Sequence, residues 1–154
     1  MGTAGCRERK RFRPVDRRVN FEREHLDNII VATGHVPAIN QVELHLGFQQ
    51  RELCGANEKN GIVTAAWSPL ARGAVLEDPA IAAVDQEHSK SPAQVILQWH
   101  LEKGRVVIPK SNSIDRLRED FEITDFSLDA AQIAIIDQCE RWQRTGPDPA
   151  THHG

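Results

Sequence analysis

The chain has 154 residues, a net charge of −3, 40% hydrophobic and 27% charged residues, a balance that suits one soluble globular domain and excludes a disordered or fibrous protein. No apolar run approaches the ~20 residues that cross a bilayer, and the amino terminus lacks the apolar stretch of a secretory signal, so neither membrane insertion nor export is expected. Three cysteines, Cys6, Cys54 and Cys139, are odd in number and widely spaced; they match neither a disulfide framework nor a zinc pattern and point to a reducing, cytoplasmic setting.

Residues 1–19 hold seven Lys or Arg against Glu8 and Asp16 and show almost no apolar periodicity, which predicts a loosely held basic arm. Such an arm suits nucleic acid only with interleaved aromatics and a recognisable module behind it; both are missing, and no nucleic-acid partner is expected. The second segment, residues 20–154, carries the fold. Asn20 can cap a helix in which Leu26, Ile29 and Ile30 form the inner stripe, and Gly34 stands where such a helix ends. A strand follows over 38–45. Val42 and Leu44 alternate there with Gln41, Glu43 and His45, so one face is apolar and the other carries hydrogen-bonding groups.

Residues 49–60 read as a helix closed by Gly61, residues 62–67 as a strand, and residues 68–73 as an irregular loop. Two helices come next without a strand between them. The first starts at Asp78-Pro79 and buries Ile81 and Val84; the second starts with the capping-box pattern Ser91-Pro92-Ala93-Gln94 and ends at Gly104. Val106, Val107 and Ile108 form a short run with no polar face, as in a strand covered on both sides. At its carboxyl end stand Lys110 and Ser111, then Ser113 as the N-cap of a helix with Ile114, Leu117 and Phe121 recurring at three and four, and Arg116 one turn in. A lysine, several hydroxyls, an arginine and free helix N–H groups at one turn describe an anion site suited to phosphate. The same residues also describe a solvated helix start with ordinary surface cations. A last helix spans about 128–141, with Ile133 and Ile136 inward, and residues 145–154 read as loop.

Alternating strands and helices imply a parallel sheet with helical crossovers, the α/β class. Three clear strands fall short of the eight strands and ~250 residues of a closed TIM barrel. The expectation is a partial (β/α)8 TIM barrel.

Several segments together resemble the aldo-keto reductase family, particularly its bacterial diketogluconate-reductase-like members. They are Asn40-Gln41-Val42-Glu43-Leu44-His45, the run from Gly61 to Leu70, the run from Pro92 to Asp120, and Gly146-Pro147-Asp148-Pro149-Ala150-Thr151. The resemblance implies the carboxyl-terminal half of a TIM barrel, with parallel strands and flanking helices, binding NADP(H) at the carboxyl face of its strands. It carries over Gln41 to the nicotinamide carboxamide, Asn20 to the asparagine of the family's Ser-Asn pair among the cofactor-binding residues, Trp67 to a ring stacked on the nicotinamide, and Ser68, Leu70 and Gly73 to the pyrophosphate loop. Lys110, Ser111 and Arg116 match the grip on the 2′-phosphate, and Glu119 an adenine contact. An amide pairs with an amide through two hydrogen bonds, and an indole face suits a flat heterocycle; plain core packing is the other reading of Trp67.

The chain departs from the family pattern at Val19 before Asn20, at Asp120 where asparagine is common, and at Leu46 after His45. The resemblance also implies a tyrosine as general acid, supported by lysine, aspartate and histidine from the other half of the barrel. The sequence contains no tyrosine, so no catalytic residue is assigned, and no histidine cluster has metal-ligand spacing. Three functions stay open. One is an NADPH-dependent reductase of small aldehydes or ketones whose tetrad-bearing half is absent, acting on a small carbonyl substrate only when complemented. The others are a non-catalytic nucleotide-binding or scaffold half-barrel, and a truncated product without a role. Exposed strand edges would favour self-association.

Overall fold

In the computed structural model, which describes residues 16–149 and residue 151, four strands lie side by side in chain order and all run parallel. They are β1 (Arg17–Val19), β2 (Ile39–Glu43), β3 (Val63–Trp67) and β4 (Val106–Ile108). Between and after them come α1 (Arg23–Thr33), α2 (Arg51–Lys59), α3 (Pro79–His88), α4 (Pro92–Glu102), α5 (Ile114–Phe121) and α6 (Ala130–Asp137). This is the α/β architecture of a partial (β/α)8 barrel, and β1 is a fourth strand that the periodicity does not reveal. The basic arm therefore has a different boundary: Arg17–Val19 pair with Ile39–Gln41, while residues 1–15 lie outside the described residues.

Local chemistry sets most helix starts. The Asp78 carboxylate accepts from the Ala80 N–H at 3.0 Å, with Pro79 in the first turn. Ser91 and Gln94 complete a reciprocal capping box at α4, and Ser113 caps α5, each satisfying N–H groups the helix leaves open. Helix α1 departs from expectation, because its N-cap is Glu22 and not Asn20. Asn20 instead adopts a left-handed backbone (φ 56°) and donates its N–H to the Gln41 carbonyl at 2.7 Å, prolonging the β1–β2 ladder by one bond. Gly34 ends the helix at φ 66°, the left-handed conformation that costs glycine least.

The register puts Val19, Gln41, Ala65 and Val106 in one row across the sheet, and alternation sends Asn40, Val42, Thr64 and Ala66 to the opposite face. That opposite face packs on the helices, where Leu26, Val42, Leu53, Ala66, Ile81, Val84, Ile96, Trp99 and Ile136 join one core. Two hydrogen bonds serve polar groups on it: Asn57 donates to Thr64 Oγ1 at 2.9 Å, and Asn40 donates to the Phe21 carbonyl at 2.8 Å. In the row containing Val106, Ala65 is buried while the two end residues, Val19 and Val106, are exposed. Val106 and Ile108 are 47% and 45% exposed, so β4 is an edge strand with one uncovered face and is not sandwiched on both sides. The apolar stripe of α5 is likewise outward, with Phe121 81% exposed; the helix buries no residue and is held by the Gln94 amide, which donates to the Glu119 and Glu122 carbonyls at 3.0 and 3.1 Å.

The carboxyl end of β2 is also more enclosed than its alternation predicts. Glu43 and His45 are 1% and 2% exposed, because the chain after α6 returns across them. Trp99 is fully buried, donates its Nε1–H to Asp137 at 2.9 Å, and carries the Arg105 guanidinium 4.8 Å over its ring. Among the described residues no helix is long and apolar enough to cross a membrane.

Candidate cofactor site

The carboxyl ends of β3 and β4 each lead into a turn, and the two turns face one another across a groove of about 670 Å³. The first turn, residues 68–73, is tightly wound. Ser68, Ala71 and Arg72 have positive φ, as does Gly73, conformations that non-glycine residues hold only when neighbours enforce them. The enforcing bonds run from Ala71 N–H to the Ser68 carbonyl and from Gly73 N–H to the Leu70 carbonyl, both 2.8 Å. Buried Ala71 pins the turn to the core. The second turn is stiffened by Ser111, whose Oγ accepts from the Ser113 N–H at 3.2 Å, and by the Ser113 cap on Arg116 N–H at 3.5 Å.

Eight of the ten residues singled out in the sequence line this one groove: Trp67, Ser68, Leu70, Gly73, Lys110, Ser111, Arg116 and Glu119. Lys110 and Arg116 are exposed and make no ion pair with another described residue, so both cations are available to an anion. Arg72 adds a third cation to the lining, one that sequence reasoning missed; its left-handed backbone, which aims the residue, has no signature in an Ala-Arg-Gly triplet. Asp120 also lines the groove. Partial burial, and secondly the adjacent Glu119 carboxylate, raise its pKa, while Arg116 draws it back.

The other two residues do not line the groove. Gln41 occupies the middle of β2, and Asn20 lies at the end of β1, lining a neighbouring cavity with Pro147 and Pro149. Asn20 is nevertheless tied to the groove, for its Oδ1 accepts from Trp67 Nε1 at 2.7 Å. The indole is half-buried, with its N–H fixed at one edge while the residue also contributes to the groove wall. An indole face, two exposed cations and a hydroxyl lining one groove suit a ligand that pairs a heterocycle with phosphate.

The Glu43–His45 pair reads differently. Burial raises the pKa of Glu43, but bonds from the Thr145 hydroxyl and from the Thr145 and Gly146 N–H groups, with His45 nearby, outweigh it and leave the carboxyl below its ordinary value. Burial lowers the pKa of His45 against the pull of Glu43. Neither residue lines the groove. No cluster of three or more His, Cys, Asp or Glu able to hold a metal occurs among the described residues.

Fold and groove together define a parallel α/β half-barrel with a groove at the carboxyl ends of its strands. Residues 19–141 match the family model of the aldo/keto reductase family, and the chain belongs to that family. It is 47% identical over 132 residues to an aldo-keto reductase of Mycolicibacterium smegmatis, covering 86% of this chain and 48% of that protein. It is 42% identical over 132 residues to the methylglyoxal reductase DkgA of Escherichia coli, covering 84% and 48%. Among solved structures it resembles apo Gox0644 at a TM-score of 0.86 and 47% identity, covering 88% of this chain and 51% of that one. A point mutant of Gox0644 in complex with NADPH matches at 0.85. The chain thus spans about half the length of the relatives it matches.

Proposed function

We propose that this chain supplies the NADP(H)-binding half of an aldo-keto reductase that reduces small aldehydes or ketones to alcohols by hydride transfer. The observation that carries this reading is the convergence of Trp67, Lys110, Ser111 and Arg116 on one groove. When bound, the nicotinamide supplies the hydride. The chain's own residues bind and orient: Lys110 and Arg116 meet the 2′-phosphate, the residue 68–73 turn lies along the pyrophosphate, and the Trp67 face, with Gln41 and Asn20 beside it, seats the nicotinamide. Glu119 stands toward the adenine. The methylglyoxal reductase name of the Escherichia coli relative and the NADPH complex of Gox0644 support the substrate class and the cofactor.

Unmutated chain is expected to prefer NADP(H) over NAD(H). Each charge-assisted hydrogen bond to a dianionic phosphate contributes about 1.5–3 kcal/mol when partly desolvated, on the order of tenfold or more per contact. Arg116→Ala should erase most of the preference and leave NAD(H) binding nearly unchanged, whereas Trp67→Ala should weaken both cofactors alike. Calorimetric titration of the two cofactors measures this; equal affinities in a chain shown by circular dichroism to be folded would remove the phosphate-site reading.

A second reading, a half-barrel that binds nucleotide without turnover, is favoured by the open edge. Val106 and Ile108 on the edge strand β4 are exposed, as are Ile114, Leu117 and Phe121 on α5, and exposed apolar groups beside an unpaired strand edge invite association. Sedimentation of the chain is expected to show concentration-dependent self-association that Ile108→Lys combined with Phe121→Ser suppresses. A monomer at all concentrations would count against it.

A further inference from the structure

Beyond its contact with His45, whose Nε2 stands 3.4 Å from Oε1, the Glu43 side chain accepts three hydrogen bonds from a segment about a hundred residues away. Its Oε1 receives the Thr145 N–H at 2.6 Å, the Thr145 hydroxyl at 2.7 Å and the Gly146 N–H at 3.0 Å. Arg144 stands 3.8 Å from Oε2, with its guanidinium 4.5 Å from the centre of the Phe48 ring. The segment is also tied down upstream, where the Arg141 and Gln143 N–H groups both donate to the Gly47 carbonyl at 3.1 Å. Residues 144–146 therefore form a strap drawn onto the inner side of β2 by one buried carboxylate.

The strap presses on the indole. A Cβ on Gly146 would stand 2.6 Å from Trp67 Cη2, 3.2 Å from Cζ3 and 3.3 Å from Glu43 Oε2, so only glycine lets the strap lie this close. The indole N–H is held by Asn20 Oδ1 at 2.7 Å, and Asn20 is itself bonded to the β2 backbone at Gln41. Two constraints, the Asn20 bond and the Gly146 backbone, leave the ring one orientation. Glu43 never reaches the groove, yet it controls the second of them.

We propose that Glu43 is a positioning residue: by clamping Thr145 and Gly146 it backs the Trp67 indole from behind, and so sets affinity for the nicotinamide half of the cofactor without affecting the phosphate half. The proposal rests on the cofactor reading above for its ligand, but the ring placement is testable without any ligand. A small displacement of a positioning group is enough to lose an aligned contact.

The chain labelled with 5-fluorotryptophan gives separate fluorine resonances for Trp67, Trp99 and Trp142, with Trp67 assigned by Trp67→Phe. In Glu43→Ala, which frees the strap, and in Gly146→Ala, which pushes the ring, the Trp67 resonance is expected to shift and broaden while that of buried Trp99 stays in place and reports an intact core. Glu43→Gln, which keeps an acceptor oxygen, should restore most of the unmutated signal. In parallel, NADPH and 2′-phosphoadenosine 5′-diphosphoribose, which lacks the nicotinamide, are titrated into each variant. Affinity for NADPH should fall roughly tenfold, and that for the nicotinamide-free ligand should hold. A Trp67 resonance that does not move in either variant overturns the positioning role. Equal weakening of both ligands overturns its restriction to the nicotinamide half. An unmutated chain that binds neither ligand overturns the cofactor reading alone, since the fluorine spectra still decide whether Glu43 places the ring.

Discussion

A purified polypeptide of these 154 residues is expected to oxidise NADPH in the presence of a reactive aromatic aldehyde no faster than buffer does. The reduction needs a proton delivered to the carbonyl oxygen as hydride arrives, and the family resemblance gives that task to a tyrosine. The chain has none. The substitutes it offers are poorly placed: His45 is 2% exposed, paired with Glu43 and shifted toward the neutral form by burial, and it does not line the groove. His100 has no exposed surface at all. Lys110 lines the groove at its cationic end, where the proposed reading commits it to the phosphate. A positioned general acid is worth ~10²–10⁴-fold, and hydride-donor alignment normally contributes more, so the expected deficit exceeds either alone. Absorbance at the reduced nicotinamide band measures it directly. Turnover in the unmutated chain that disappears in Trp67→Ala would place true catalysis at this groove and sink the expectation.

Mild acid is expected to destabilise the fold well before its carboxylates titrate, and His100 is the main cause. The residue sits on α4 with its side chain wholly buried, its ring 4.6 Å from that of Trp99, and neither ring nitrogen makes a well-formed hydrogen bond among the described residues. Burial, and secondly repulsion from Arg105, push its pKa down to about 3 from an ordinary 6.5, although the Pro69 backbone draws it part of the way back. Between those values the unfolded chain holds a proton that the folded chain refuses, so stability is highest above 6.5 and falls as pH drops, by up to about 1.4 kcal/mol per pH unit. His45 acts in the same direction. Glu43, whose pKa is lowered, withdraws its contribution only below the ordinary carboxylate value near 4.5, which leaves pH 6.5 to 4.5 as the histidine window. Urea unfolding midpoints across that window should fall steeply in the unmutated chain and less steeply in His100→Leu, a volume-similar apolar replacement. Parallel slopes for the two proteins would show that His100 is not the group responsible.

The sequence by itself determined the features whose chemistry is local. Asp78-Pro79, Ser91 with Gln94, and Ser113 set three helix starts correctly, because a cap needs only a side chain and the N–H groups two or three residues on. The turn bearing Lys110, Ser111 and Arg116 was legible for the same reason, since one strand-to-helix junction supplies all of its groups, and the colinear segments from Asn40 to Thr151 placed the chain in its family and its barrel. Tertiary structure alone decided the rest. Arg17–Val19 is too short and too polar to announce a strand, and exists as one only because Ile39–Gln41 lie beside it. Val106 to Ile108 reads as covered on both faces, since an apolar run records what a strand can bury and not whether a neighbour is there to bury it. The bond from Trp67 to Asn20 spans 47 residues and that from Thr145 to Glu43 spans 102. No spacing rule reaches that far, because a donor and an acceptor so distant in sequence meet only after the sheet has fixed where each strand ends.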